Sequence, residues 1–128
     1  MNKLVIVTAT RAEYGLLSRL IKMFKVSDKI NTELVVTGSH LSSEYGMTIK
    51  EIENDGLTID KRIAILSDDN SEYGISETMS NAIINFSDYF KDSHPNAILV
   101  LGDRYEILAI CMAAINYKIP IIMVEKQH

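Results

Sequence analysis

Residues 8–15, TATRAEYG, combine side chains that suit the binding of an anionic ligand. Arg11 stands at the start of a predicted helix, and the first amide N–H groups of a helix together with a guanidinium bind phosphate well. A structural interpretation fits the same residues: Thr10 caps the helix, Glu13 completes a capping box, and Arg11 is a solvated surface charge. The stretch has neither G-x-G-x-x-G nor G-K-[ST], so it indicates neither a dinucleotide site nor a P-loop.

A second polar stretch, LGDRYE at 101–106, places Asp103 and Arg104 at the end of a predicted strand. Arg104 suits a phosphate or a carboxylate partner. Glu125 follows the next predicted strand, so Asp103 and Glu125 are candidates for a catalytic acid and base facing each other across a crevice. In the simpler alternative, Asp103 is only the N-cap of the following helix, which is a common position for Asp. The spacing alone leaves both interpretations open.

A third stretch, Gly38-Ser39-His40, follows another predicted strand. At the carboxyl end of a strand, Ser39 and His40 are candidates for substrate contacts, with the imidazole over the ligand crevice. The alternative is that His40 is solvated or structural, as isolated loop histidines usually are. None of the three histidines has metal-ligand spacing to another, and no HExxH motif occurs, so no metal site is expected.

The hydrophobic pattern alternates between strand and helix periods along the whole chain. Apolar runs predict strands at 3–8, 33–37, 61–66, 97–101 and 119–124. Helical spacing predicts helices at 13–26, 47–54, 75–92 and 105–117. This order predicts an α/β fold with a doubly wound parallel sheet, a Rossmann-like three-layer α/β/α domain joined by right-handed crossovers. Ligands of such sheets bind at the carboxyl ends of the strands, where all the candidate residues fall.

Composition narrows the classes of partner. The 128 residues suit one domain, and 13 scattered Lys+Arg against 17 Asp+Glu give a net charge of −4, so neither nucleic acid nor an anionic membrane is an expected partner. The single cysteine, Cys111, can form no intramolecular disulfide, which fits a reducing compartment. The first apolar run is too short for a signal peptide or a membrane span. We therefore expect a soluble cytoplasmic protein.

Taken together, these motifs indicate a protein family more specifically than any one motif does alone. The sequence resembles the N-terminal part of the UDP-N-acetylglucosamine 2-epimerase family, in particular its hydrolysing branch, which feeds sialic and legionaminic acid synthesis. The resemblance lies in VTATRAEYGLL (7–17), VVTGSHLSSEYGMTIKEIENDG (35–56), LVLGDRYEILAICMAA (99–114) and IPIIMVE (119–125). TRAEYG and GDRYE are similar to the hydrolysing members rather than to the simple epimerases.

The resemblance implies a GT-B architecture in which two Rossmann-like domains close on a UDP-sugar, with residues 1–128 as the first domain only. It implies a nucleotide contact for Arg11 and roles around C2 of the sugar for Asp103 and Glu125. The implied reaction removes the C2 proton, eliminates UDP to give a glycal, and adds water with inversion at C2 to release N-acetylmannosamine. It needs no metal or redox cofactor.

The end of the sequence departs from the family pattern. Where family members continue with a glycine-rich turn and a further acidic residue, this sequence reads Glu125-Lys126-Gln127-His128 and stops. Since the family's second domain carries its catalytic histidine and most uridine contacts, we expect little or no epimerase activity from this chain alone. The alternative is a non-catalytic interaction module that docks on a partner through an uncovered face. An exposed sheet edge would also favour a homo-oligomer.

Overall fold

Five strands form one parallel sheet in a computed structural model that describes residues 2–42, 48–102 and 104–125. The strands are β1 (Asn2–Thr8), β2 (Ile30–Thr37), β3 (Lys61–Ile63), β4 (Ala97–Leu101) and β5 (Ile121–Val124). The helices are α1 (Arg11–Lys25), α2 (Ile49–Asn54), α3 (Glu72–Ser93) and α4 (Tyr105–Asn116), with a 3-10 helix at Gly38–Leu41. The sheet order β3-β2-β1-β4-β5 reverses between β1 and β4 and confirms the predicted doubly wound α/β fold.

The core lies on both faces of the sheet, because side chains of successive strand residues point in opposite directions. On β1, Val5 and Val7 pack towards α3 and α4, where Phe86 and Ile110 are fully buried. Leu4 and Ile6 of the same strand pack into a second cluster with α1 and α2. The uniformly apolar run predicted to be a central strand is indeed β4, which pairs with β1 on one side and β5 on the other.

Several predicted boundaries differ from the structure by a few residues, among them the starts of α1, β2 and β5, and two of the differences have local reasons. The predicted third strand ends early, at Ile63, because the next carbonyl groups accept hydrogen bonds from side chains of α3 instead of from a neighbouring strand. Asn85 Nδ2 donates to the carbonyl of Ala64 (2.9 Å) and Asn81 Nδ2 to that of Ile65 (3.0 Å).

Helix α3 starts three residues before its apolar stripe, at Glu72, because Ser71 Oγ caps it by accepting from the amide of Gly74 (3.3 Å). The predicted helix 47–54 is described from Ile49, and residue 47 lies outside the described residues. Across the described ranges, the helices fall short of the length and apolar content that a bilayer crossing needs.

The carboxyl ends of β1 and β2 are fixed to each other through Gly38. Its φ of +63° lies in the left-handed region, and a Cβ there would come within 2.7 Å of the carbonyl oxygen of Ala9. The following residue donates to that same oxygen, from Ser39 N at 2.9 Å and from Ser39 Oγ at 3.1 Å. Any side chain at position 38 therefore pushes the two loops apart.

We expect Gly38→Ala to lower the free energy of unfolding by about 3 kcal/mol, since it combines backbone strain with a clash against main-chain atoms. Gly56→Ala is the matched control, because Gly56 has φ +80° but open space around its Cβ position. The control should cost only about 1 kcal/mol. Urea unfolding of both variants measures the difference, and equal losses would contradict the close approach at Ala9.

Candidate active site

A cavity of about 580 Å³ opens where β1, β4 and β5 end. Two of the residues predicted from the sequence, Arg104 and Glu125, line it, together with Thr10 and Glu13 from the start of α1. Gly102 forms part of the wall with φ +109°, a conformation that glycine adopts without strain. The strand order reverses between β1 and β4, so the cavity occupies the position where parallel sheets of this type hold ligands.

Arg11 and Thr10 behave as the structural interpretation predicts, with one addition. Thr10 is the N-cap of α1, and its Oγ1 accepts from the amide of Glu13 at 3.2 Å. Arg11 is exposed, and its Nε donates to Glu51 Oε2 of α2 at 3.0 Å. An exposed ion pair contributes only about 0–1 kcal/mol, so the guanidinium can exchange Glu51 for a ligand anion at little cost.

His40 is not among the residues that line this cavity, and its predicted substrate contact stays a prediction. Its side chain is completely buried, with Nε2 3.0 Å from Thr8 Oγ1 and Nδ1 2.7 Å from Thr48 Oγ1. Burial lowers the pKa of His40 to about 4, so the ring is neutral at pH 7. With both nitrogens occupied, His40 joins the end of β1 to the residue before α2. The structural alternative for this histidine is therefore the one the structure supports.

Of the two predicted catalytic carboxyl groups, only Glu125 belongs to the described residues. Glu125 is exposed at the end of β5 and lines the cavity. Asp103 lies outside the described residues, so the predicted encounter of the two carboxyl groups stays a prediction.

Among the described residues that line the cavity, Arg104 is the one with a positively charged side chain. Its Nε donates to Glu106 Oε1, and its guanidinium carbon lies 6.0 Å from the centroid of the Tyr105 ring. The bond to Glu106 raises the pKa of Arg104 above its usual value. Since the side chain is still 52% exposed, the guanidinium is both held in place and accessible to a ligand.

Sequence reasoning missed the burial of two glutamates beside this cavity. Glu13 is 5% exposed and Glu106 2% exposed. Glu13 Oε1 accepts from the amide of Ala9 at 2.9 Å, one residue before the cap amide that a capping box would use. Burial, with a smaller contribution from Glu106, raises the pKa of Glu13 to about 7. One sequence feature could have indicated these two glutamates. Each is an acid in the first turn of a helix, α1 or α4, that follows a central strand.

A second cavity, of about 440 Å³, lies beside the loops that follow β2 and β3. Its wall contains Asp68 and Asp69 and, among the described residues, no Lys or Arg, so it is a poor match for an anion. Within the described ranges, no group of three or more His, Cys, Asp or Glu side chains is placed to hold a metal ion. The first cavity is therefore the candidate active site.

Two buried ionisable groups at this edge of the sheet make opposite contributions to stability. His40 is neutral when folded, so between about pH 4 and 6.5 only the unfolded chain binds its proton, and its contribution to stability rises with pH. Glu13 is protonated when folded, so between pH 4.5 and about 7 only the unfolded chain loses its proton, and its contribution falls with pH. The two slopes oppose each other in the wild type.

Replacing one of the two groups should leave only the other group's contribution to the pH dependence of the free energy of unfolding. Between pH 4.5 and 6.5, we expect Glu13→Gln to gain about 2 kcal/mol of stability relative to wild type, and His40→Gln to lose about 2 kcal/mol on the same scale. Urea unfolding at three pH values in this range measures both curves. Parallel curves for wild type and both variants would contradict the burial-induced shifts.

The comparisons with known proteins agree with this architecture. Residues 22–125 match a family model described as UDP-N-acetylglucosamine 2-epimerase. The chain is 40% identical over 122 residues to Polysialic acid biosynthesis protein P7 of Escherichia coli, covering 95% of this chain and 31% of that protein. It is 38% identical over 121 residues to GDP/UDP-N,N'-diacetylbacillosamine 2-epimerase (hydrolyzing) of Campylobacter jejuni, covering 94% and 31%.

Among solved structures, UDP-GlcNAc 2-epimerase from Neisseria meningitidis bound to UDP-GlcNAc superposes with a TM-score of 0.81 at 24% identity, covering 95% of this chain and 32% of that one. This likeness confirms the Rossmann-like fold, matched to the N-terminal part of a GT-B enzyme. The chain spans 31% of the length of the two curated relatives. With most of its residues inside the family model and nearly all of them aligned to these relatives, the chain belongs to the UDP-N-acetylglucosamine 2-epimerase family.

Proposed function

We propose that this chain forms the N-terminal unit of a hydrolysing UDP-N-acetylglucosamine 2-epimerase and supplies one wall of its UDP-sugar site. The observation that carries the proposal is the cavity at the ends of β1, β4 and β5, where Arg104 and Glu125 stand together. The names of the relatives support the hydrolysing branch, and the Neisseria structure supports a UDP-sugar ligand. Family membership favours this reading over a non-catalytic interaction module.

In the proposed reaction a carboxylate takes the C2 proton of UDP-N-acetylglucosamine. The electron pair of the broken C–H bond forms the C1–C2 double bond, and the C1–O bond to UDP breaks with its electrons leaving on UDP. Water then adds its hydroxyl group to C1, and a proton is added to C2. This proton reaches C2 from the face opposite to the one that lost a proton, so the configuration at C2 is inverted. The products are UDP and N-acetylmannosamine. Two carboxyl groups of separated acidity suit this exchange of protons.

We assign the roles from chemistry and position. Asp103 and Glu125 are the proposed proton-transfer groups, and Arg11 and Arg104 the proposed contacts of the diphosphate. Ser39, whose Oγ donates to the carbonyl of Ala9, is a further proposed contact of the ligand. A guanidinium suits a diphosphate because its planar donors match two phosphate oxygens at once.

The described half of the site is open to water. Glu125 is exposed and more than half of the Arg104 side chain is accessible, whereas catalysis needs reacting groups held in a narrow, water-excluded geometry. We therefore propose that the 128 residues bind the nucleotide sugar but turn it over slowly or not at all.

We also propose a cytoplasmic location. The single cysteine, Cys111, fits a reducing compartment and supports this location.

We expect UDP-N-acetylglucosamine to bind the chain, and Arg104→Gln to weaken that binding by about 10- to 100-fold, the usual value of a charge-assisted hydrogen bond. Isothermal titration calorimetry measures the affinity. Arg62→Gln is the matched control, since Arg62 pairs with Glu53 at the far edge of the sheet. Arg104→Lys, which keeps the charge beside Glu106, separates a lost ligand contact from a destabilised fold.

The same samples are assayed for release of UDP and N-acetylmannosamine, with Asp103→Asn as the catalytic control. Turnover by the wild-type chain that this substitution abolishes would show that a half-site works, and would contradict the expected inactivity. Equal ligand affinities for the wild type and Arg104→Gln would remove Arg104 from the site.

We also propose that the chain self-associates through α4. This helix exposes Leu108, Met112 and Ile115, spaced four and three residues apart and therefore on one stripe. A helix that is apolar on its outer as well as its inner face is typical of one covered by another surface.

Light scattering of the purified chain should give a mass above 14.4 kDa, and Leu108→Glu/Ile115→Glu should return it to that monomer mass. Met23→Glu is the matched control, since Met23 is an exposed apolar residue of α1, on the other face of the sheet. A monomeric wild type, or dissociation by the control, would refute an interface on α4.

A further inference from the structure

Two buried carboxyl groups from different helices meet beside the cation of the candidate site. Glu13 belongs to the first turn of α1 and Glu106 to the first turn of α4. The charge of Glu106 raises the pKa of Glu13, and the charge of Arg104 lowers it, so all three groups act on one another. Glu13 and Arg104 also share a cavity wall.

Each of the two carboxyl groups has one oxygen bonded and one free. Oε1 of Glu13 accepts from the amide of Ala9, and Oε1 of Glu106 accepts from Arg104. Oε2 of both residues is buried and has no hydrogen-bond partner among the described atoms. A Cβ on Gly102 would lie 3.6 Å from Oε2 of Glu13, so this oxygen faces the loop that leads to Arg104.

A buried carboxylate without a partner for one oxygen is costly, whereas a carboxylic acid carries no net charge and can donate its proton. Only one cation, Arg104, stands beside the two acids among the described residues, and it is bonded to Glu106. With Glu13 protonated, this cluster of three is electrically neutral. With Glu13 ionised, it carries one net negative charge on the wall that the proposed function gives to a diphosphate.

We propose that Glu13 is a positioning residue that must be an uncharged acid for the site to accept its anionic ligand, so that binding of the diphosphate takes up a proton at Glu13. Glu106 meanwhile holds the Arg104 guanidinium at the cavity wall. This inference rests on the proposed function, because it takes the diphosphate of a UDP-sugar as the ligand.

The other groups that face Glu13 fit this assignment. The amide of Ala9 and the N-cap Thr10 approach from its own helix and favour the ionised form, but less strongly than burial opposes it. From α4 come Arg104 and Glu106, and the exposed Glu125 adds a further carboxyl group to the cavity. A bound diphosphate brings more negative charge to the same wall, so it strengthens the preference of Glu13 for its proton.

The test measures how the affinity for UDP-N-acetylglucosamine depends on pH. This diester is a better probe than UDP, whose terminal phosphate titrates near pH 6 and would add its own proton. We expect the wild-type affinity to fall about tenfold between pH 6.5 and 8.5, because one proton must be restored to the site. Calorimetry in two buffers of different ionisation enthalpy should show proton uptake approaching one at the upper pH.

Two variants isolate the group responsible. Glu13→Gln keeps the size and removes the charge, so it should bind at pH 8.5 as tightly as the wild type binds at pH 6.5, with no proton uptake. Glu53→Gln, an exposed acid on α2, should keep the wild-type pH profile. An unchanged profile in Glu13→Gln, or a flat profile in the wild type, overturns the inference and leaves the proposed function standing.

Absence of binding at every pH would instead refute the proposed ligand, and a ligand-free readout still tests the cluster. Carboxyl ¹³C NMR follows the titration of Glu13 in the unliganded chain. Glu106→Gln should lower its midpoint and Arg104→Gln should raise it, whereas a buried acid that is not coupled to these two groups would respond to neither. A midpoint unaffected by both substitutions overturns the inference.

Discussion

The peptide groups on either side of Ala9 join β1 and α1, which border the candidate site, to the end of β2. The amide of Ala9 donates to Glu13 at the start of α1, and its carbonyl accepts twice from Ser39 at the end of β2. Ala9 itself is fully buried, so each of these groups would be costly without its partner. The absence of a side chain on Gly38 lets the β2 loop come close enough to reach that carbonyl. The placement of the site therefore depends on main-chain contacts more than on any one functional side chain.

Burial suppresses the charges of two ionisable groups at this edge of the sheet. His40 is neutral at pH 7, and Glu13 keeps its proton up to about pH 7. The bond to Glu106 raises the pKa of Arg104, and Arg11 pairs with Glu51 at the surface. The same physical effect, loss of hydration, thus favours the uncharged forms of His40 and Glu13, whereas at Arg104 the bond to Glu106 outweighs it.

Much of the fold could be predicted because hydrophobic periodicity is a local property. The run at 97–101 is apolar at every position, which only a strand covered on both faces requires, and it is β4. Burial of a polar residue is not local, so the sequence pattern did not indicate that His40 and Glu13 are buried. Their environments arise from residues far along the chain, Thr8 for His40 and Gly102 for Glu13. Likewise, Asn81 and Asn85 ended β3 through contacts that no strand pattern encodes.

The pairing of β1 with β4 also sets the order in which the protein can assemble during synthesis. One edge of β1 pairs with β2, the next strand in the sequence. The other edge pairs with β4, whose residues come more than ninety positions later, with Leu4 opposite Ala97. A nascent chain that has formed only β1, β2 and β3 therefore presents an unpaired, apolar central edge, which is a template for wrong pairing. Arrival of β4 covers that edge and, in the next few residues, delivers Arg104 and Glu106. β5 then completes both the sheet and the cavity wall, because Met123, Val124 and Glu125 line the same cavity.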